Sequence, residues 1–269
     1  MEKLFVQIEC CGEKMSYSFI LQTNVENLVS GASFDCEHLQ ILNKYKIADK
    51  YKIKQKIPVK RPGDKKFTIV TAASFDYFPT LRKLLYSLKQ HFGCSQKIIC
   101  YDLGGISEDK YMQIFTQFDT FMWMDTSINL ENKKYLDPIF EGVENGKISE
   151  IVFPGGARHS IHYATNLRMF TYLPIITDWI KIENKKWDTE MYEANFIIVH
   201  KSEYTRNFLK WALLCAATKQ CIQPDGSELY CKSPRTTIGT CHRFDQSVMN
   251  ILNVNSEYQR SLIGKEFDT

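Results

Sequence analysis

The sequence predicts an α/β fold with a mostly parallel central sheet covered by helices on both faces. Three observations predict it. Phe67–Ala73 and Phe121–Met124 are continuous rather than alternating apolar runs, the pattern of strands buried on both faces. Helix-period segments separate the strand-like runs, and right-handed crossovers between them make neighbouring strands parallel. The Phe121–Met124 run stops abruptly at Asp125, Thr126 and Ser127, and open α/β sheets bind ligands just beyond the carboxyl ends of such strands.

A length of 269 residues accommodates one large domain or two small ones. The expected division is a poorly defined N-terminal segment or stem over 1–60 and a main domain over 61–269. A hydrophobic content of 44% with 13% aromatic residues is ample for a core. A formal charge of +3, from 34 basic and 31 acidic residues, is too small to make nucleic acid the main partner. No apolar run reaches the roughly 18 residues that a membrane span needs. The start, MEKLFVQIECCGEKMSYSF, places charges where a secretory signal needs an apolar centre.

Along the chain, Phe5–Cys10 and Tyr17–Leu21 read as strands. From Lys44 to Lys66 ten basic residues face Asp49 and Asp64, which reads as a solvated linker, broken by Pro58, Pro62 and Gly63, or as a phosphate- or membrane-facing patch. Phe67–Ala73 is the first main-domain strand. Tyr77–Phe92 carries Leu81, Leu84, Leu85, Leu88 and Phe92 at helical spacing, with Gly93 as its stop. Lys97–Asp102 is a second strand ending in an acid and two glycines. Ser107, followed by Glu108 and Asp109, opens a helix bearing Tyr111, Ile114, Phe115 and Phe118.

Beyond Asp125, Glu150–Phe153 reads as a strand and Pro154-Gly155-Gly156 as a turn. Arg158–His162 leads into a helix over Tyr163–Leu173, which places His159 and His162 on one helical face. Trp187-Asp188 precedes Tyr192–Asn195 and the strand Phe196–His200. Ser202 caps a helix whose buried stripe is Phe208, Trp211, Ala212 and Cys215, and a last helix runs through Leu252. Cys215, Cys221, Cys231 and Cys241 crowd a 27-residue window, spaced by five, nine and nine residues. Four cysteines so close imply two disulfides or a metal site, and the absence of a C-x-x-C pair argues against the usual zinc sites. Disulfides imply an oxidising compartment.

The order Val70–Ser74, Tyr101–Gly104 and Trp123–Ser127 resembles the nucleotide-binding half of GT-A glycosyltransferases, the nucleotide-diphospho-sugar transferase superfamily. The later motifs Gly156–His162, Glu193–Ile197, Trp211–Ala216, Cys221–Gly226 and above all Cys241–Ser247 resemble an uncharacterised animal family of that superfamily. The resemblance runs from about Phe67 to Asn253 and leaves 1–60 outside. It implies a GT-A-like three-layer α/β/α sandwich and transfer of a sugar from a nucleotide diphosphate sugar to a glycan or protein hydroxyl.

Residue by residue, the resemblance makes Thr71, Ala72, Ala73 and Asp102 donor contacts. Asp125 and Ser127 stand as the D-x-D-type element that holds a divalent metal, commonly manganese, against the donor phosphates. His242 is implied as a further metal or phosphate ligand, and His162, Asn195 and Arg243 as acceptor or phosphate contacts. Asp245-Gln246 matches the catalytic pair. Asp245 would serve as general base in an inverting reaction, or orient the acceptor and stabilise positive charge on the sugar in a retaining one. The implied setting is the Golgi or secretory lumen. Two departures stand out: the Asp102–Asp125 connection is shorter than the family pattern, and Ser127 replaces an acid. They motivate the alternative of an inactive lumenal or secreted module that has lost donor binding. A zinc-binding adaptor built on the 215–242 cysteines and His242 is the third reading, and Asp125 as a plain turn cap is the bland reading of the opening motif.

Overall fold

A computed structural model describes residues 9–21, 28–103, 115–176, 190–231, 239 and 241–264. The expected helix opening at Ser107, the Trp187-Asp188 pair and most of the Phe5–Cys10 strand lie outside these residues. The chain divides into two compact units. The sheet unit comprises Lys52–Gly155, Ala194–Arg206 and Phe267–Thr269; the disulfide unit comprises Met1–Tyr51, Gly156–Glu193 and Asn207–Glu266.

The sheet unit holds five strands: β1 (Phe67–Ala73), β2 (Ile98–Asp102), β3 (Thr120–Met124), β4 (Ile151–Val152) and β5 (Phe196–His200). Their order is β2-β1-β3-β5-β4. β1 runs parallel to β2 and β3, with Ala73 beside Asp102 and Val70 beside Trp123. β5 runs antiparallel to both β3 and β4. The sheet is therefore mixed, not mostly parallel as expected. Residues 156–193, between β4 and β5, belong to the disulfide unit.

Pleat alternation decides the two faces. Phe67, Ile69, Met122, Met124 and Ile198 pack on Leu84 and Leu88 of α1 (Phe78–Phe92) and on Phe140 of α2 (Asp137–Asn145). Gly93 ends α1 as its sequence predicts, and a proline in the first turn suits its start. Val70 faces the other way, against Phe118, with Ile99, Tyr101, Phe121 and Trp123 packed around that pair. Residues 115–117 are helical. The described structure is thus mixed α/β, with one sheet face covered by α1 and α2.

In the disulfide unit, Ser16–Ile20 and Leu28–Ser33 form a hairpin, Glu9–Cys10 pairs with Glu13–Lys14, and Glu190–Tyr192 pairs with Gly156–Ser160. Tyr17 meets Trp211 edge-on at 5.6 Å, and Phe34 stacks on Tyr172 at 5.3 Å. The side chain of Trp211 comes from α3 (Glu203–Ala216). Ser202 caps α3 as expected: its hydroxyl accepts the Thr205 N–H at 3.2 Å, and the Thr205 hydroxyl accepts the Ser202 N–H at 2.8 Å. Lys210 is buried, 2.5 Å from Glu13 and 3.2 Å from Asp49. Cys10–Cys36, Cys215–Cys221 and Cys231–Cys241 form disulfides, while Cys11, Cys94 and Cys100 are free and exposed.

Two helix expectations need correction. Arg158–Ser160 lies in a strand, and only Leu167–Thr171 of the expected 163–173 helix is helical, as a short 3-10 turn. The carbonyls a helix would use are taken elsewhere. The His162 carbonyl accepts from the Gly239 N–H, and the Ala164 carbonyl accepts from the Arg243 N–H and the Ser247 hydroxyl. His159 and His162 consequently share no helical face. The last helix, α4 (Phe244–Ser261), runs well past Leu252.

Candidate functional site

The parallel register brings the expected donor residues of the sheet unit to one edge. Ala73 and Asp102 end their strands side by side, and the Leu103 N–H donates to the Ala73 carbonyl at 2.8 Å. Asp125 follows β3 directly, and its N–H donates to the Asn195 carbonyl at 2.7 Å. Asn195 stands at this edge because β5 begins where β3 ends. Thr71, one turn of the pleat inside, is buried, and its hydroxyl has no hydrogen-bond partner. Ala72 is half-buried between Thr71 and Ala73. Strand spacing of about 4.8 Å puts the Asp102 and Asp125 backbones about 10 Å apart across β1.

Asp125 is half-buried and Ser127 exposed. One Asp125 oxygen, Oδ1, accepts the Ser127 N–H at 2.8 Å, and the Asp125 carbonyl accepts the Ile128 N–H at 3.0 Å. Asp125 does cap the turn, so the bland reading describes its Oδ1. Next to it Thr126 is buried and accepts from Thr80 of α1 at 3.1 Å, which ties the turn to the helix.

One carboxylate and one hydroxyl are a sparse set for a dedicated metal cage, and among the described residues no three His, Cys, Asp or Glu side chains gather as a metal site. They fit instead a hard cation that arrives with phosphate oxygens and waters, because such ions often take only one or two protein carboxylates.

Sequence reasoning missed Tyr77 and Phe78, which are 60% and 53% exposed where α1 starts, within a turn of Ala73. The apolar stripe that marks the helix begins only at Leu81, so periodicity gave no sign of them. A hollow of about 260 Å³, lined by Arg61, Gly63, Phe92, Lys133 and Asp137, lies elsewhere in the sheet unit, near the amino end of β1. It falls below the roughly 300–1,000 Å³ usual for ligand sites and holds none of the expected site residues.

The Cys241–Ser247 motif lies in the disulfide unit and turns out to be largely a clamp. His242 is fully buried: its Nδ1 accepts the Asn166 N–H at 3.2 Å, and its Nε2 is 2.9 Å from the Ile222 carbonyl, to which it donates. Desolvation first holds its pKa down, which keeps this neutral form. Neither ring nitrogen has a lone pair left for a metal, which corrects the expected ligand role. Gln246 donates to the Tyr192 carbonyl at 2.8 Å. Phe244 sits at φ 42°, a strained position for a bulky residue, between Arg243 and Asp245.

Three groups of this region keep unspent capacity. Among the described residues, the buried Arg243 Nε and His162 Nδ1 have no hydrogen-bond partner. Burial lowers the His162 pKa, and its ring lies 5.2 Å from that of Phe170. Asp245 opens to solvent, yet the protein around it still disfavours its charge and raises its carboxyl pKa. A hollow of about 530 Å³ in the same unit, lined by Asp35, Glu37, His38, Tyr172, Thr218 and Lys219, contains none of the expected site residues.

A family model described as "Protein of unknown function (DUF1647)" matches residues 8–130. The match covers less than half of the 269-residue chain. It includes Thr71, Asp102, Asp125 and Ser127 and also most of the N-terminal residues outside the resemblance, and it stops before Asp245. No curated protein and no solved structure matches the chain.

Proposed function

We propose that the protein is a glycosyltransferase with a GT-A-like fold, moving a sugar from a nucleotide diphosphate sugar to a glycan or protein hydroxyl in a secretory lumen such as the Golgi. The observation that supports this reading is the convergence of Ala73, Asp102, Asp125 and Asn195 on one edge of the sheet, where α/β folds receive phosphorylated ligands. Tyr77 and Phe78 offer flat apolar faces to a nucleobase beside that edge. Asp125 and Ser127 would hold a divalent cation, manganese by the resemblance, which offsets the charge of the departing diphosphate.

In the transfer, the bond between the anomeric carbon and the diphosphate oxygen breaks, and its electron pair leaves with the diphosphate. The acceptor oxygen bonds to the carbon and gives up its proton. By the resemblance, Asp245 would be the base in an inverting reaction. In a retaining reaction, Asp245 instead orients the acceptor or stabilises charge on the sugar.

One observation favours the inactive alternative: the Asp125 Oδ1 is already spent on its own turn. A panel of nucleotide sugars assayed for metal-dependent transfer or hydrolysis separates the two. The account predicts turnover of at least one donor, reduced about 100-fold or more in Asp125→Ala. Wild-type turnover in that variant would remove Asp125 from the mechanism, and no turnover of any donor would favour the inactive module. The disulfides fit a lumenal or secreted setting, and no described helix is long and apolar enough to cross a membrane.

A further inference from the structure

The charge of the chain is concentrated in one place. Residues 52–66 hold seven basic side chains against the single acid Asp64, a net +6 in a chain of total charge +3, so all other residues together sum to −3. Lys52, Lys54, Lys56, Lys65 and Lys66 are exposed, whereas Ile53, Ile57 and Val59 are half-buried. Val59 packs on the sheet core.

The backbone of this run has no helix or ladder of its own, but it is fastened at four points. The Ile53 N–H donates to Glu203 Oε2 at 2.8 Å, and the Ile57 carbonyl accepts from His200 Nε2 at 2.9 Å. The Lys60 N–H donates to the Thr120 hydroxyl at 3.0 Å, and that oxygen is 3.0 Å from His200 Nδ1. At the far end the Gly63 N–H donates to Gln96 at 2.9 Å. The cations are thus displayed on a fixed track and are not carried on a loose tail.

Little neutralises them. Arg61 pairs with Glu144 at 3.0 Å. Lys56 and Lys66 donate to the carbonyls of Glu144 and Gln117, bonds that leave their positive charge uncompensated. Glu203 lowers the local field, but it is already bound to the buried Arg206 at 2.7 Å.

We propose that this run is a docking strip for a linear polyanion, and that its partner is a sulfated polysaccharide. The inference is independent of the donor site. Lys52, Lys54 and Lys56 occupy every second position, at most about 7 Å apart along the backbone, so the charge forms a line suited to a chain. The three disulfides fit an oxidising compartment, where nucleic acid is not the polyanion on offer. The strongly anionic lipid surface belongs to the cytoplasmic leaflet, which argues against a membrane as the partner.

Binding to immobilised heparin, compared with phosphatidylserine vesicles and duplex DNA, tests this. Wild type binds heparin at about 0.15 M salt and weakens steeply as salt rises. Lys52→Gln/Lys54→Gln/Lys56→Gln binds about tenfold more weakly or worse, while Lys83→Gln/Lys89→Gln/Lys134→Gln, with the same loss of net charge from other exposed sites, stays within about twofold. Thermal midpoints that match wild type show that both variants are folded. Equal weakening of the two variants, absence of heparin binding by wild type, or tighter binding to vesicles or DNA than to heparin would each overturn the proposal.

Discussion

At the scale of single residues, buried histidines and one half-buried glutamate set the response of stability to pH. His200 and His242 are neutral clamps whose two ring nitrogens bond in opposite senses, one accepting and one donating. Burial is the leading cause that lowers both below the ordinary 6.5. The unfolded chain therefore takes up protons that the native chain refuses, and stability falls as pH drops from 6.5 through the lowered folded values. Glu257 shifts the opposite way, raised by burial, and so favours the folded state as pH falls. The histidine contribution is best isolated by comparison. Between pH 7 and pH 5 the thermal midpoint of wild type should fall further than that of His242→Gln, measured by calorimetry. Parallel curves would show that His242 protonation is not coupled to unfolding.

At the scale of elements, some were legible and others were not, for identifiable reasons. β1, β3, β5 and α1 announce themselves because one local pattern, apolar run or helical stripe, decides their burial. The 156–173 segment misleads because its carbonyls are claimed by residues 239–247, which no local pattern reveals. The end of α4 was hidden by polarity. Asn250, Asn253 and Asn255 look like a solvent face, yet all three are buried, and two bond distant backbone: Asn250 holds Tyr192, while Asn255 holds Ile176 and Pro174.

The partners of Lys210 were equally invisible, since Glu13 and Asp49 are remote in sequence. Lys210→Ala leaves Glu13 buried without its cation and should cost about 3–5 kcal/mol in denaturant unfolding, whereas the paired Lys210→Met/Glu13→Leu change should cost far less. Equal losses in the two would contradict a paired-charge role.

At the scale of the whole molecule, the chain interleaves its two units, and that arrangement was not legible. β5 pairs antiparallel with both its neighbours, so the sheet is mixed, which the local run Phe196–His200 does not reveal. The candidate donor edge was legible, since strand ends are local and parallel order aligns them. The role of the Cys241–Ser247 motif was not, because motif spacing cannot distinguish a metal ligand from a histidine wedged between two backbone segments.

The central claim is that the β1–β2–β3 edge binds a nucleoside diphosphate with a divalent cation through Asp125. Thermal denaturation with UDP, GDP and other nucleoside diphosphates, each with and without manganese, addresses it most directly, because a ligand of the native state raises its midpoint by mass action. The account predicts a manganese-dependent rise with at least one nucleotide that disappears in Asp125→Ala. No rise with any nucleotide, or an undiminished rise in the variant, would contradict it.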